Sequence, residues 1–593
     1  MLPFEETDLD KGDFKTLRER LTFSRLIKSG NRPTILGLDT ETFTDAGLLC
    51  VADSDGRYLT GDRSLSELFR FLSSHGRNIY FCWNLSFDAM ILLRGVPFEF
   101  LREVYLNEDV PGIEFDFEDI HVKYLYRKAL ELSAPHKTVR IYDASQLYGK
   151  LRLQTAGEKF LGRGKVDVGE KRFVRGEITP ERQQEIVKYC IEDSRLCRDL
   201  ASKWVETFAA EFGYYPSRFY SAGAIISEYI FLSLPRFPTF VSVPYPIQTF
   251  AYAAYFGGRF EIFKRGTFKN VYHYDINSAY PHAIANMPDF TEGEWFDWWT
   301  NPDDYLLDPH TAGFFDVEAN IPLNEPVGPF MFRIGTKVIC PVGRFRTFAT
   351  LAELRRVPPA HYSVKEGWVF VPKHPGNNPL SDLIRDMYGK RIVKDTEEQR
   401  TVYKVLMNSV YGKTAQVKPR VGKLFSPVLA AYITGYARGM LLDAALKAKD
   451  RLIALATDAV FSQVPLDLPT GADMGFWTEK QHETFTIFMN GVYFLDGKPK
   501  TRGFSPEVEI DGKKVRLSAD LVKVALSQGK PMFKIRFTKP NSLLDSLRRG
   551  LNIGEFAQYE REIDLNADTK RIWSEPLLSL EGSHNSYPIP LGG

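Results

Sequence analysis

Between Leu452 and Phe461 the chain reads Leu-Ile-Ala-Leu-Ala-Thr-Asp-Ala-Val-Phe, an apolar, strand-like run whose one acid is Asp458. An aspartate is almost never fully buried unless it is paired. A fold that buries this run must therefore bring a partner to Asp458. The candidate is Asp275, with a metal ion bridging the two carboxylates. Asp275 ends an aromatic, β-prone run, Val271-Tyr-His-Tyr-Asp275, and Pro281 sets a break or helix start just beyond it. A carboxylate at a strand end, followed by exposed backbone amides, can hold a metal together with a triphosphate.

The residues between these two aspartates supply phosphate chemistry. Lys404, Asn408 and Tyr411 in Lys404-Val-Leu-Met-Asn-Ser-Val-Tyr-Gly-Lys413 are spaced i, i+4, i+7 and share one helical face. A core helix would put Leu or Ile there. Arg391 and Lys394, with Lys390, come some turns earlier, and an antiparallel helix pair would bring both clusters to one triphosphate; a solvated basic face is the plainer account. Upstream, Tyr255-Phe-Gly257-Gly258 permits a tight turn or a close backbone approach to a ligand, or is simply a loop.

A second set of carboxylates lies nearer the N-terminus. Ile35-Leu-Gly-Leu38 predicts a buried strand followed by Asp39-Thr-Glu41, and residues i and i+2 of a strand share a face. Asn84 and Asp88 follow a second apolar stretch; a helix cap is the alternative there. Tyr189 and Asp193 are i and i+4 on a predicted helix. Alone, each is weak. Together, Asp39, Glu41, Asp88 and Asp193 can hold two divalent cations, which at about 3.5–4 Å apart stabilise the attacking and leaving oxygens of a phosphodiester. Tyr189 could orient the attacking water. Oxygen ligands suit Mg²⁺ or Mn²⁺ rather than zinc. Lys165 reads equally as a phosphate ligand or a surface lysine.

Composition bounds the rest. The chain has 593 residues, enough for about three to five domains. Its 76 Lys+Arg against 75 Asp+Glu exclude a bulk polycation but not a basic groove. From Gln399 to Leu442 there is no acid in 44 residues, while Arg400, Lys404, Lys413, Lys418, Arg420, Lys423 and Arg438 fall there, which predicts a surface facing phosphates. Five cysteines without a CxxC pair argue against a zinc ribbon or disulfide framework and fit a reducing, cytoplasmic setting. No signal peptide and no membrane-spanning stretch is expected.

With Tyr-x-x-x-Asp last, the first set resembles the DEDD-type 3′–5′ exonucleases of the tyrosine subclass over residues of about 30–205. The second set resembles family B DNA polymerases: DxxSxYP at 275–281, KxxxNSxYG at 404–412, the TD at 457–458 and YxGG at 255–258. Lys500-Thr-Arg502-Gly503 looks like that family's late basic motif, with Arg in place of its usual Tyr. The match is most like the compact phage or plasmid enzymes, including the protein-primed group. It implies an α/β multidomain fold, a ribonuclease-H-like exonuclease domain at 1–205 plus a right-hand polymerase. The palm is expected at 206–375 and 425–525, with an insertion at about 290–370, fingers at 376–424 and a thumb at 526–593.

By the same resemblance, Asp275, Asp458 and the Ile276 carbonyl hold two Mg²⁺ or Mn²⁺ ions for synthesis, and the exonuclease site holds two more. Ser278, Tyr280, Arg391, Lys394, Lys404, Asn408 and Tyr411 bind the nucleotide. Asn84, Phe87, Tyr255, Gly257, Gly258, Gly412, Thr457, Lys500 and Arg502 contact DNA. Primer-template DNA and dNTPs are the partners, with a terminal or other replication protein allowed and the priming mode open. The setting is cytoplasmic, that of the host for a phage protein. Two departures matter. Ala456 stands where the family usually has a first Asp. Only 45 residues separate Gly412 from Asp458, leaving little room for the insertion that helps protein-primed members encircle DNA. The alternative is an exonuclease whose polymerase half has decayed into a DNA-binding platform.

Overall fold

The computed structural model describes residues 32–75, 79–107, 112–169, 173–234, 243–417, 421–422, 424–502, 506–510, 513–529 and 532–592. Among these, the N-terminal body is built on an eight-stranded sheet. Its first long strand is β1 (Ile35–Thr42), parallel to Ile79–Cys82, which is in turn parallel to Lys137–Asp143; the flanking strands are antiparallel. Helices α1 (Leu85–Leu92) and α2 (Phe98–Asn107) follow the second of these strands. The long helix α3 (Pro180–Phe212) then packs across β1. That packing needs Gly37, because a Cβ there would lie 1.8 Å from the Ser194 carbonyl oxygen. The expected boundary at 205 thus falls inside α3, which runs on to Phe212.

The central sheet is organised around β2 (Lys264–Ile276). Two antiparallel helices, α4 (Pro379–Ile392) and α5 (Glu397–Thr414), stand beside it. After α5, α6 (Pro427–Ala448) leads straight into β3 (Leu452–Thr457) and β4 (Ala459–Ser462). Those elements consume the segment before Asp458, so no further subdomain fits there. The sheet is completed by β5 (Trp477–Met489), β6 (Val492–Leu495) and β7 (Lys498–Thr501), in the order β7-β6-β5-β2-β4-β3 followed by Arg259–Ile262. Strands 293–297, 362–372, 312–321 and 342–350, in the span where an insertion is expected, form a separate antiparallel layer.

Strands β8 (Met532–Pro540) and β9 (Phe556–Asp564) form a hairpin joined to 507–516. Its tip is helix α7 (Leu543–Arg549), capped by Ser542 and ended by Gly550 at φ 70°. Leu543, Leu547 and Ile553 at the tip are buried in the same core as Met90, Ile91 and Leu101 of the N-terminal body. At about 1.5–3 kcal/mol for each buried side chain, this is a substantial contact. The span expected as a thumb, 526–593, does not coincide with one sheet. The sheet starts at 507, and residues 583–587 and 590–591 return to pair with β2 and with 342–343.

All five cysteines are buried and free. Among the described residues no helix is long and apolar enough to cross a membrane.

Candidate active sites

In the N-terminal body, Asp39 and Glu41 project from the end of β1, and α3 brings Asp193 to them. Carboxylate oxygens of Asp39, Glu41 and Asp193 all lie within 4.8 Å of one another. Burial, and then the charges of Glu41, Asp88 and Asp193, push the Asp39 carboxyl well above the usual range. Its Oδ2 is buried with no hydrogen-bond partner. A crowded, desolvated carboxylate set with an orphaned oxygen fits a divalent cation.

Asp88 is held just beside this trio. It is buried, accepts a hydrogen bond from Thr40 Oγ1 at 2.9 Å, and is pushed up to about 7, mainly by burial. Lys165 is no plain surface lysine. Its ammonium ion-pairs with Asp193 and lies 5.0 Å from the Tyr189 ring centroid. Burial pulls Lys165 down, but the Asp193 carboxylate outweighs this and holds it above its ordinary value. Burial, then the Asp193 charge, keeps the Tyr189 phenol protonated. Asn84 occupies the N-cap position of α1 but makes no side-chain cap hydrogen bond and is exposed, so the cap reading does not hold for its side chain. Phe87 is half-buried beside it.

The second site lies where β2 meets the β3–β4 turn. Asp275 pairs with Ala459, and Ile276 N–H donates to the Asp458 carbonyl at 3.0 Å. Burial and the neighbouring Asp275 raise the Asp458 carboxyl to about 6. Asp275 is raised by burial, while Lys480 and Lys404 act in the opposite sense. Two half-buried carboxylates of like charge sharing one turn again fit a cation.

Tyr280 and Tyr411 stack with centroids 4.4 Å apart, and Tyr411 Oη lies 3.0 Å from Tyr255 Oη. A Cβ at Gly258 would lie 2.6 Å from Thr457 Cγ2 and 3.2 Å from Tyr280 Oη. The four motifs containing Tyr255–Gly258, Tyr280, Tyr411 and Thr457 thus converge on one spot, with Gly257 and Gly412 exposed. Arg391 Nη1 donates to Ser278 Oγ at 3.2 Å, and Lys404 and Asn408 are exposed on one face of α5. Lys500 and Arg502 are exposed on and just after β7; Gly503 lies outside the described residues. Asn84, Ser278 and Thr457 all adopt positive φ (68°, 54° and 65°). For non-glycine residues this stores strain of about 1–3 kcal/mol each, concentrated beside both carboxylate sets.

Lys394, in the turn between α4 and α5, ion-pairs with Glu211 of α3 at 2.7 Å. One sequence expectation is corrected. Arg438 does not face phosphates. It is buried, bonds both oxygens of Glu353 at 2.7 and 3.0 Å, and donates to the Phe256 carbonyl at 2.6 Å. Lys413 is partly buried, and burial lowers it to about 8. Lys418, Arg420 and Lys423 lie outside the described residues.

Two supporting residues carried weaker signals. Gly37, inside a strand-like run, marks a close backbone approach. Asp143 is buried, accepts from the Asn84 and Ser145 N–H groups at 3.1 and 3.0 Å, and holds the Asn84 turn in place. Its only sequence signal is an acid ending an apolar run.

Residues 180–424 match the family model described as DNA polymerase type B, organellar and viral. A probable DNA polymerase of Ascobolus immersus is 24% identical over 481 residues, covering 69% of this chain and 39% of that protein. A DNA polymerase of Acidianus bottle-shaped virus (isolate Italy/Pozzuoli) is 26% identical over 278 residues, covering 44% of this chain and 41% of that protein. The chain spans about two fifths of the length of these curated relatives. Among solved structures, phi29 DNA polymerase complexed with primer-template DNA and incoming nucleotide substrates aligns with TM-score 0.60 at 16% identity, covering 90% of this chain and 99% of that one. The fold is that of a right-hand polymerase with an exonuclease domain. The matched segment, residues 180–424, is thus similar to organellar and viral type B DNA polymerases, and the fold is similar to that of phi29 DNA polymerase.

Proposed function

We propose that this chain is a template-directed DNA polymerase with a 3′–5′ proofreading exonuclease, replicating a phage or mobile-element genome in the cytoplasm of its host. The observation that carries the reading is the meeting of Asp275 and Asp458 at one turn, walled by the Tyr280–Tyr411 stack and flanked by Lys404 and Arg391.

Asp275, Asp458 and the Ile276 carbonyl would hold two Mg²⁺ or Mn²⁺ ions at the synthesis site, and Asp39, Glu41, Asp88 and Asp193 two more at the exonuclease site. When bound, such ions lower the pKa of the attacking hydroxyl or water and neutralise phosphate charge. The chain's own residues do the rest. Lys404 and Arg391 grip the triphosphate. Tyr280 excludes a 2′-hydroxyl by contact with the sugar, and Tyr255 braces Tyr411 behind it. At the other site, Thr40 orients Asp88, and Tyr189 orients the attacking water. Lys165 neutralises charge beside Asp193, while Asn84 and Phe87 hold the single strand, Phe87 by stacking on a base.

Primer extension tests this directly. Asp458→Ala should abolish synthesis and spare degradation, and Asp39→Ala should do the reverse. A wild-type chain that only degrades, with Mg²⁺ and with Mn²⁺, would establish the decayed-polymerase reading suggested by Ala456.

A further inference from the structure

Four of the five cysteines belong to α3 and to the N-terminal sheet beneath it. Cys50 and Cys82 are on strands Leu48–Asp53 and Ile79–Cys82, and Cys190 and Cys197 are both on α3. The helix packs closely here, and Ser194 Oγ donates to the Ala52 carbonyl at 2.9 Å. Residues i and i+2 of a strand share a face, so Cys50 looks toward α3 together with Ala52. Cys50, Ala52, Ile186, Val187 and Cys190 fill one buried cluster. Within it the Cys50 and Cys190 thiols are in hydrogen-bond contact, and both residues are fully buried. Cys197 instead donates to the Phe81 carbonyl at 3.3 Å, and Cys340 packs with Phe256 and Met331.

The thiol pair is built into the frame of the N-terminal carboxylate set. Cys50 stands opposite Glu41 in the pairing register of β1. Cys190 follows Tyr189 directly and lies one turn before Asp193. Its thiol also donates to the Asp39 carbonyl at 3.2 Å. A disulfide bond is only about 2.05 Å long, well inside a non-bonded sulfur contact. Closing it would draw α3 toward strand 48–53 by about an ångström or more. The Asp39 carbonyl would lose its donor, and Tyr189 and Asp193 would shift against Glu41. A misplacement of about 1 Å near reacting groups costs about a hundredfold in rate.

We propose that Cys50 and Cys190 form a reversible oxidation site that silences the exonuclease. Two S–H bonds break and one S–S bond forms. With hydrogen peroxide as oxidant, the sulfurs are oxidised, the O–O bond is reduced, and the two thiol hydrogens leave in two molecules of water. With a small aliphatic disulfide they leave in two thiols. Burial, then the contact with Cys50, holds the Cys190 thiol above its ordinary value. The pair is therefore slow to react and needs a small neutral oxidant rather than ambient thiol exchange. The oxidised chain goes on copying DNA and stops correcting it. The proposal rests on the exonuclease reading above.

The test treats the full chain with hydrogen peroxide, removes the excess, and compares it with a reduced sample. Peptide mapping by mass spectrometry should find Cys50 joined to Cys190, with Cys82, Cys197 and Cys340 outside any disulfide. Degradation of a short single-stranded oligonucleotide should fall about tenfold to a hundredfold, while extension of a matched primer stays within about twofold. Dithiothreitol should restore degradation. Cys50→Ala and, separately, Cys190→Ala should degrade the oligonucleotide before treatment and show no dithiothreitol-recoverable loss after it. Absence of the Cys50–Cys190 peptide overturns the proposal. So does a cross-linked chain that degrades at the reduced rate, a parallel loss of synthesis, or a recoverable loss that persists in either variant. Where an alanine variant fails to fold, the mapped peptide and the two wild-type rates decide alone. A reduced wild-type chain that leaves the oligonucleotide intact overturns the exonuclease reading itself.

Discussion

Tyr280 and Tyr411 lie face to face, 4.4 Å between ring centroids and 26° between planes, although 131 positions separate them in the chain. The stack makes one rigid wall from a residue of the β2 turn and a residue of α5. Replacing Tyr280 by Val removes the ring that would meet a ribose 2′-hydroxyl. Discrimination against ribonucleotides, measured as a ratio of kcat/KM values, should fall by about tenfold to a hundredfold, while the exonuclease stays at the wild-type rate.

Gly258→Ala drives a methyl group into Thr457 and toward the Tyr280 hydroxyl. The neighbouring backbone is part of the Asp458 turn and has little freedom to retreat. Primer extension should drop roughly tenfold or more, as expected for a small misplacement of a catalytic turn. Degradation of a single-stranded oligonucleotide should be untouched.

Lys165→Ala removes the half-buried ammonium that pairs with Asp193 and uncovers the Tyr189 ring. Exonuclease kcat should fall by about two orders of magnitude, within the range of losing one electrostatic stabiliser, and synthesis on a matched primer should persist. Rates on both substrates, read side by side, check this.

Arg438→Met strands Glu353, which is buried and bonded on both oxygens. Leaving one partner of a buried pair uncompensated costs about 3–5 kcal/mol. The urea midpoint should drop accordingly. Because Arg438 also holds the Phe256 carbonyl, synthesis should weaken even where the fold survives.

His273 stacks on Phe461 at 4.3 Å and sits 3.2 Å from His482. Burial, then the charge interactions with His482 and Lys480, lowers it from 6.5 to about 4. Between those values the unfolded chain binds more protons than the folded one, so stability falls as pH drops from about 6.5 toward 4 and is unaffected above. The loss is on the order of 2 kcal/mol after allowing for partial exposure. Urea unfolding of His273→Phe should show a flatter dependence over that window.

The carboxylate sets were legible because their chemistry forces unusual residues into predictable places. An acid in an apolar run, as at Asp458, or Lys, Asn and Tyr along one helical stripe, as at 404–411, violates ordinary patterning. Gly37 and Asp143 act through neighbours far along the chain, and nothing local distinguishes them from a strand glycine or a turn aspartate. Arg438 misled for the same reason: its place in an acid-free segment suggested a surface, while its partner Glu353 lies 85 positions upstream. The pairing of Lys394 with Glu211, far upstream on α3, is likewise announced by nothing local. The return of 583–591 to two separate sheets depends on strand pairing, which carries no motif.

That return also orders events during biosynthesis. Arg265 pairs with His584, more than three hundred residues later. The N-terminal sheet is closed by residue 143 and its covering helix by 212, so that body has its own strands and helix while the rest is still being translated. The central sheet must wait with an open edge until residues 583–587 have left the ribosome, and loop closure over such a span is slow. Ribosome-bound intermediates truncated before residue 583 should therefore protect the first sheet from proteolysis and leave the segment around Lys264–Gly266 accessible.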